Sequence, residues 1–468
     1  MAREITPEEK ELAREMLERA RAAMAQVADY DQARVDRLAQ ALGWALGNET
    51  TFTRLAHMGV DESGAGDREG RVNKRFKIHG ILRDALRQPS VGIIEEDHAR
   101  GLVKYAKPAG VIASLVPMTN PVLTPPGTAI NAVKARDAVI FSPHPRTKKT
   151  SYEVVRIMRD VLEAQGAPPD LLQCVAEPSI PMAQELMAIC DMTLATGGPA
   201  MVRAAYSSGK PAFGVGAGNS TIVIDETADI EEAARNTRVS KTSDFGSGCS
   251  SDGNVLIDDR IYEALVDRLQ VEGGYLADPD EKAMLEKAMW DDSGARTLAT
   301  VAQPAPKLAE LAGFEVPPET KFLIVEQEGI GREHRFSGEK LTTLLAVYRY
   351  HGFAQALEMV RQIFQVGGAG HSCGIYSFDD EHIDALARVA PVSRMMVRQP
   401  QSKANAGSFT NGMPMTSSLG CGIWGGNVTN ENISLKHYLN VTWVSRPIPE
   451  DRPSEQELFG EFYGTATP

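Results

Sequence analysis

Cys249 is the residue of this chain whose surroundings best suit covalent chemistry. It lies in the run Lys241-Thr-Ser-Asp-Phe-Gly-Ser-Gly-Cys249-Ser-Ser251, where small residues and glycines leave the sulfur approachable. A thiol attacks only as the thiolate, and the backbone N–H groups of such a loop can help to lower its pKa. We therefore predict that Cys249 is a nucleophile, with a buried cysteine that packs as a small apolar side chain as the alternative.

Asn120 occupies a position where parallel sheets carry ligand-binding groups. It lies in Val116-Pro-Met-Thr-Asn-Pro121, directly after the predicted strand Val111–Val116. Because α/β proteins place ligand groups at the carboxyl ends of such strands, we predict that the Asn120 side chain donates a hydrogen bond to a ligand. The alternative is a simple turn, which an Asn before a Pro commonly forms.

The segment Ser142-Pro-His-Pro-Arg146 follows the next predicted strand, Ala138–Phe141, in the same way. Its basic continuation to Lys148 and Lys149 suits phosphate groups better than a core, so we expect it to hold the adenosine end of a cofactor. We expect His144, which lies between two prolines, to be a loop residue rather than an acid or base.

Three glycine-rich segments allow close approach of other groups to the backbone. Gly214-Val-Gly-Ala-Gly218 looks like a dinucleotide fingerprint, but a strand follows it instead of a helix, so we interpret it as a turn between strands. The other two, Gly367 to His371 and Ser418 to Gly426, are either ligand-binding loops or interdomain connections. We favour a connection for the second.

Length and composition limit the possible classes of protein. A chain of 468 residues is long enough for two or three domains, and it contains no apolar run long enough for a transmembrane helix. The net charge of −13 argues against a nucleic-acid partner, and nothing in the chain indicates a membrane partner. Five scattered cysteines lack the spacing of a metal site, so we expect no metal. The first residues do not form a secretory signal, so we expect a cytoplasmic protein.

The order of predicted elements indicates an α/β fold. A capped helix begins at Pro7, after Thr6, and a hairpin covers residues 91–106. Short apolar runs then alternate with helix-length segments, as in parallel sheets covered on both faces. The predicted strands of the first series are Val111–Val116, Ala138–Phe141, Leu171–Val175, Met192–Ala195, Ala212–Val215 and Thr221–Ile224; those of the second are Asn254–Ile257, Phe322–Val325, Leu344–Tyr348, Gly374–Ser377 and Met395–Val397. A last strand near 437–445 needs a partner, either the hairpin or another subunit.

Taken together, several segments resemble the aldehyde dehydrogenase superfamily and, within it, the CoA-acylating branch that includes acetaldehyde, propionaldehyde and sulfoacetaldehyde dehydrogenases. The resemblance covers nearly the whole chain. The segments that carry it are Val116 to Pro121, Phe141 to Lys149, Ala195 to Gly198, Lys241 to Ser251, Glu339 to Leu341, Gly367 to His371, Pro391 to Met396 and Ser418 to Gly422.

The resemblance implies two Rossmann-like parallel-sheet domains and a small β oligomerisation element. The cofactor-binding domain would comprise residues 1–90 and 107–228, and the catalytic domain residues 229–430. The hairpin 91–106 and residues 431–468 would form the oligomerisation element, which implies a homodimer or homotetramer.

The resemblance also implies roles for individual residues. Cys249 would attack the aldehyde carbon to form a thiohemiacetal, which loses hydride to the nicotinamide cofactor and becomes a thioester. The Asn120 amide and the Cys249 backbone N–H would form the oxyanion hole. The implied cofactor-binding residues are Thr119, Ser142, Pro143, His144, Arg146, Thr196, Gly197, Gly198, Gly216, Glu339 and Leu341.

One difference from the hydrolytic members implies the acylating reaction. Where those members carry the run Glu-Leu-Gly-Gly, whose glutamate activates water, this chain has Val215-Gly-Ala-Gly218. The thioester would then be cleaved by the thiolate of coenzyme A, in a reversible ping-pong reaction that makes acyl-CoA. The alternatives are a hydrolytic aldehyde dehydrogenase with another base and, further away, a cysteine acyltransferase without redox chemistry.

The resemblance leaves the cofactor and the aldehyde open. Pro145 stands where NAD-selective relatives have a glutamate against the ribose, and Arg146 is next to it, so either NAD or NADP is expected. The run after Cys249 differs from that of acetaldehyde and propionaldehyde enzymes, and an anionic aldehyde such as sulfoacetaldehyde would require a cationic group that sequence does not locate.

Overall fold

The computed structural model describes residues 3–465, and it contains two parallel sheets and one small antiparallel sheet. The strands are β1 (Gly92–Asp97), β2 (Leu102–Pro108), β3 (Val111–Val116), β4 (Ala138–Pro143), β5 (Leu172–Cys174), β6 (Met192–Thr196), β7 (Ala212–Val215), β8 (Thr221–Ile224), β9 (Asn254–Asp258), β10 (Gly274–Leu276), β11 (Phe322–Gln327), β12 (Leu344–Tyr350), β13 (Cys373–Tyr376), β14 (Met395–Val397) and β15 (Leu439–Ser445). The helices are α1 (Pro7–Gln26), α2 (Gln32–Gly47), α3 (Glu49–Ser63), α4 (Arg75–Leu86), α5 (Thr124–Ala135), α6 (Lys148–Ala164), α7 (Ile180–Ile189), α8 (Pro199–Tyr206), α9 (Ile230–Thr242), α10 (Tyr262–Val271), α11 (Pro279–Met289), α12 (Ala305–Ala312), α13 (Phe353–Val366), α14 (Asp380–Val389), α15 (Gln401–Ala404) and α16 (Glu455–Phe459).

The first sheet has five parallel strands in the order β5-β4-β3-β6-β7. Every residue of β3 and β4 is buried, as expected for strands covered on both faces. Helix α1 packs on this domain, and its start is fixed by the predicted Thr6 cap: the Thr6 hydroxyl accepts from the Glu9 N–H, and the Glu9 carboxylate accepts from the Thr6 N–H.

The second sheet has seven parallel strands in the order β10-β11-β12-β9-β8-β13-β14. Strand β8 (Thr221–Ile224), which we placed in the first series, pairs with β9 and β13 of this sheet, so the chain passes from one sheet to the other between Val215 and Thr221. The predicted cofactor domain, ending at 228, therefore contains one strand that belongs to the second sheet. An apolar run predicts a strand but does not specify its neighbours.

The third sheet is antiparallel, in the order β1-β2-β15. The predicted hairpin supplies β1 and β2, and the C-terminal strand β15 pairs with β2 from Leu439 to Ser445. This sheet resolves the choice of partner for β15 in favour of the hairpin. The α/β class with two parallel sheets and a small β element is confirmed. In the described residues, no helix combines the length and the apolar character that a membrane crossing needs.

Candidate active site

Cys249 lies in a tight turn between helix α9 and strand β9. The turn is closed by a hydrogen bond from the Ser251 N–H to the Gly248 carbonyl, at 2.9 Å, and the Ser220 hydroxyl donates to the Cys249 carbonyl at 3.2 Å. Before the turn, Asp244 and Phe245 both adopt left-handed backbone conformations, with φ of 50° and 51°. Such conformations cost free energy in non-glycine residues and are concentrated at functional sites.

His371 contacts the sulfur of Cys249 directly. Its Nε2 lies 3.1 Å from Cys249 Sγ, and its Nδ1 lies 2.8 Å from the hydroxyl of Ser372. The Asn405 amide donates to that hydroxyl at 2.8 Å, so the imidazole is held from its far side. This is the arrangement of a nucleophile, a base and an orienting group.

Burial and nearby charges keep the His371 imidazole and the Cys249 thiol uncharged before the substrate reacts. Burial lowers the pKa of His371 to about 3, helped by the positive charge of Arg394. Removal of water raises the pKa of the Cys249 thiol to about 12, and the Glu339 carboxylate adds to the effect. A neutral imidazole that contacts a neutral thiol can accept its proton when the sulfur attacks.

From sequence we assigned no catalytic role to His371, although the loop from Gly367 to His371 was one of the glycine-rich segments. Gly368 and Gly370, with φ of 81° and 86°, turn this loop so that the imidazole reaches Cys249, which is 122 residues away in the chain. The only signal in the sequence was a histidine directly after a glycine-rich turn and before a buried strand.

Asn120 lies in the loop between strand β3 and helix α5, and its side chain is bound by Lys74. Lys74 Nζ donates to Asn120 Oδ1 at 2.8 Å and to Asp244 Oδ2 at 2.7 Å. Arg71 donates to both oxygens of Asp244 at 3.0 to 3.2 Å. This cluster of Arg71, Lys74 and Asp244 joins the predicted oxyanion-hole amide to the loop that carries Cys249.

Gly218 lies between Glu339 and Cys249 and is close to both. The Gly218 N–H donates to Glu339 Oε1 at 3.1 Å, and a methyl group added at Gly218 would lie 1.9 Å from the carbonyl oxygen of Cys249. Burial raises the pKa of Glu339 to about 7. Leu341, two residues further on, has a left-handed φ of 52° and packs against the small cluster of Ala65, Val301 and Ala302.

The turn from β6 into α8 has the features of a pyrophosphate site. Thr196 ends the strand and contacts the Ser418 hydroxyl at 3.1 Å, while Gly197 and Gly198 lead into the helix. No side chain caps the N-terminus of α8, and a methyl group added at Gly198 would meet no atom within 4 Å. Free N–H groups at an open helix start bind phosphate groups, so these residues fit the cofactor that the resemblance implies.

The other predicted cofactor residues are more scattered. Ser142 and Pro143 end strand β4, and the His144 N–H bonds to the carbonyl of Val116 on the neighbouring strand. The Arg146 guanidinium bonds to the carbonyl of Ser63 at the end of α3. Two further residues lie elsewhere: the Thr119 carbonyl faces Lys74 at 3.5 Å, and Gly216 lies against the sulfur of Cys421.

Val215 is the residue that we compared, from sequence, with the hydrolytic glutamate. It ends strand β7 and is buried, with 6% of its surface exposed. An isopropyl group cannot take a proton from water, so this position supplies no base for hydrolysis.

Comparisons with known proteins identify the family and the fold of this chain. The sequence profile of the aldehyde dehydrogenase family matches residues 2–282. A sulfoacetaldehyde dehydrogenase of Acholeplasma sp is 42% identical over 451 residues, which cover 95% of this chain and 93% of that protein. The crystal structure of an acetylating aldehyde dehydrogenase from Geobacillus thermoglucosidasius superposes with a TM-score of 0.92 at 35% identity, covering 96% of this chain and 99% of that one. A Rhodopseudomonas palustris propionaldehyde dehydrogenase, solved with bound CoA and an acylated cysteine, has a TM-score of 0.83 at 26% identity and covers 93% and 97% of the two chains.

Proposed function

The chain belongs to the aldehyde dehydrogenase family and is a CoA-acylating member of it, and we propose that its aldehyde substrate is small and anionic. The reaction oxidises a short-chain aldehyde to acyl-CoA and is reversible. It uses NAD or NADP as the nicotinamide cofactor and coenzyme A as the cosubstrate.

In the first half of the proposed reaction, Cys249 Sγ bonds to the aldehyde carbon while His371 Nε2 takes the thiol proton. The Asn120 amide and the Cys249 N–H donate hydrogen bonds to the carbonyl oxygen as it becomes negative. The bound nicotinamide supplies the acceptor for the hydride that leaves the thiohemiacetal carbon. The turn Thr196-Gly-Gly198 before α8 would hold the pyrophosphate, and Glu339 would hold the nicotinamide ribose.

In the second half, the thiol of coenzyme A attacks the thioester on Cys249. Before this step, His371 releases to solvent the proton that it took from Cys249 in the first half. The new C–S bond to coenzyme A then forms, the bond to Cys249 breaks, and the proton of the incoming thiol passes to the departing sulfur through His371. Val215 at the position compared with the hydrolytic glutamate cannot activate water, and this favours the thiol of coenzyme A as the second nucleophile. The observations that carry the acylating assignment within the site are the 3.1 Å contact of Cys249 with His371 and the apolar side chain at position 215.

The anionic substrate is supported by the charge near Asn120. Four cationic residues surround this side of the site against two acidic ones: Arg71, Lys74, Lys77 and Lys403 against Asp67 and Asp244. Excess positive charge in a cleft favours an anionic ligand. The Acholeplasma relative is named for sulfoacetaldehyde, whose sulfonate group would face this charge.

We propose that the protein forms a homodimer or homotetramer through the three-stranded sheet. Six of the seven residues of β15 are exposed, including Trp443. The five cysteines are free thiols, which suits the cytoplasmic location that we also propose.

The test is a panel of aldehydes assayed for reduction of NAD and of NADP with and without coenzyme A. The panel comprises sulfoacetaldehyde, succinate semialdehyde, acetaldehyde and propionaldehyde. We expect reduction to depend on coenzyme A, acyl-CoA as the product, and the highest kcat/KM for an anionic member. Steady turnover to free acid without coenzyme A would refute the acylating reaction, and a preference for acetaldehyde or propionaldehyde would refute the anionic substrate.

A further inference from the structure

We propose that Lys74 is a positioning residue for the oxyanion hole: it holds the Asn120 amide in the orientation that presents its nitrogen to the aldehyde oxygen. The inference rests on the proposed function, because it takes Asn120 as a donor to that oxygen. It assigns a role to a residue that touches neither the sulfur nor the carbonyl group.

The orientation follows from hydrogen-bond chemistry. An ammonium group only donates, so its 2.8 Å contact with Asn120 requires the amide oxygen on the Lys74 side. The amide nitrogen must then point away from Lys74. Among residues 3–465, Asn120 Nδ2 donates to no protein group, so its two N–H groups are free for a ligand.

Asp244 couples this orientation to the nucleophile. It accepts from Lys74 at 2.7 Å, from the Arg71 guanidinium, from the Asp67 N–H at 2.8 Å and from the Ser247 hydroxyl at 3.0 Å. Asp244 lies in the same loop as Cys249, five positions earlier in the sequence. One carboxylate therefore fixes both donors of the oxyanion hole: the Cys249 N–H through the loop and the Asn120 amide through Lys74.

The Arg71, Lys74 and Asp244 cluster is largely buried, and removing three charges from water costs free energy of folding. This cost favours a functional role for the cluster. The side chains of Arg71 and Asp244 are each 3% exposed, and that of Lys74 is 23% exposed. Burial alone would raise the pKa of Asp244, but Lys74 and Arg71 hold the pKa below its ordinary value. Buried ion pairs stabilise a fold little compared with apolar side chains of the same volume, so stability alone gives weak grounds for placing three charges here. The ammonium also polarises the amide it binds, which strengthens the N–H donors on the other side.

The same ammonium has an alternative role that makes a different kinetic prediction. If Lys74 binds the anionic group of the substrate, its loss raises KM for anionic aldehydes and leaves uncharged ones unaffected. If it positions Asn120, its loss lowers kcat for charged and uncharged aldehydes alike, because both develop the same oxyanion.

The experiment compares Lys74→Met and Lys74→Arg with the unchanged chain, using sulfoacetaldehyde and propionaldehyde at saturating coenzyme A. We expect Lys74→Met to lower kcat for both aldehydes by about 10-fold to 100-fold, somewhat less than the loss of an oxyanion donor itself. Lys74→Arg can still donate to both Asn120 and Asp244, and we expect it to recover part of kcat. Arg75→Met, next in the chain and paired with Glu49 at 3.1 Å, is the matched control and should leave kcat unchanged.

A second measurement distinguishes a lost orientation of the Asn120 amide from a disturbed conformation of the loop that carries Cys249. Iodoacetamide should alkylate Cys249 in Lys74→Met at a rate close to that of the unchanged chain, because the His371 contact does not involve Lys74. An unchanged kcat, an effect confined to KM for sulfoacetaldehyde, or a parallel loss of alkylation would each overturn the inference. Failure of the proposed function is distinguishable, since it would appear as absence of CoA-dependent turnover in the unchanged chain.

Discussion

The sulfur of Cys249 is kept as a neutral thiol beside a neutral imidazole. This differs from a thiolate–imidazolium pair, in which a depressed thiol pKa makes the sulfur reactive at all times. Burial raises the pKa of the Cys249 thiol, as do Glu339 and Cys421, while Ser250 and Arg394 act in the opposite direction with smaller effect. Arg394 also lowers the pKa of His371. The nucleophile is therefore generated when its proton moves to His371, at the moment of attack, and it is protected from side reactions at rest.

The first prediction of this arrangement concerns alkylation of Cys249 by iodoacetamide. Because the pKa of the thiol is raised to about 12, the thiolate fraction at neutral pH is smaller than that of an ordinary cysteine and grows with each unit of pH. The alkylation rate of the cofactor-free protein should rise continuously between about pH 6 and pH 9, with no plateau. Mass spectrometry of the Cys249 peptide gives the rate for this sulfur alone.

His371→Asn is the variant that tests the imidazole in the same measurement. Without a group that accepts the thiol proton, the rate at neutral pH should fall, while the rise with pH should persist. A plateau reached near neutral pH would contradict the neutral pair, because it would indicate a thiolate already formed below that pH.

The sequence predicted a functional role only for residues whose neighbours in the chain indicate that role. Cys249 stands among small residues and Asn120 follows a strand, and both positions could be read without coordinates. His371 and Lys74 could not, because their partners are distant in sequence: Cys249 is 122 positions from His371, and Asn120 is 46 positions from Lys74. Spacing along the chain carries no information about such contacts.

At the scale of elements, the link from β7 to β8 determines where Cys249 sits. It crosses from the first sheet to the second, and Gly218 in its middle lies against the carbonyl of Cys249 while its N–H binds Glu339. The short apolar run Thr221–Ile224 predicted the strand correctly, but the sheet it joins is decided by long-range packing. That packing also makes this link, which we interpreted as a simple turn, part of the site.

The second prediction is that Gly218→Ala displaces the Cys249 turn. The new methyl group would lie 1.9 Å from the Cys249 carbonyl oxygen, a backbone atom that cannot rotate away. We expect a loss of kcat of at least about 10-fold and a slower alkylation of Cys249, at a cost in unfolding free energy of about 1–3 kcal/mol typical of overpacking.

Gly367→Ala is the control for this substitution. Gly367 begins the loop that carries His371, has an extended φ of 174°, and an added methyl group there would meet no atom within 4 Å. It should retain both kcat and the thermal midpoint. Equal activity of the two alanine variants would contradict the role of Gly218.

For the whole molecule, the C-terminal segment after β15 is the clearest unpaired surface. From Arg446 to Thr465 every residue is exposed, although large apolar side chains recur in this segment. Those of the last part are Leu458, Phe459, Phe462 and Tyr463, each more than half exposed. Large apolar side chains that remain mostly exposed in a single chain mark a surface for association.

The third prediction is that this arm packs on a second copy of the chain. Replacing Phe459 and Phe462 together by Ser removes apolar area that only an interface could bury, so the population of dimer or tetramer should shift toward smaller species on dilution. Sedimentation equilibrium measures this shift as a rise in the dissociation constant of about 10-fold or more, the expected result for truncating two aromatic anchors. Trp44→Ser, which removes an aromatic side chain 74% exposed on helix α2, is the control and should leave the mass distribution unchanged. An oligomer equally stable with and without the two phenylalanines would exclude the arm from the interface and leave the three-stranded sheet as the proposed contact.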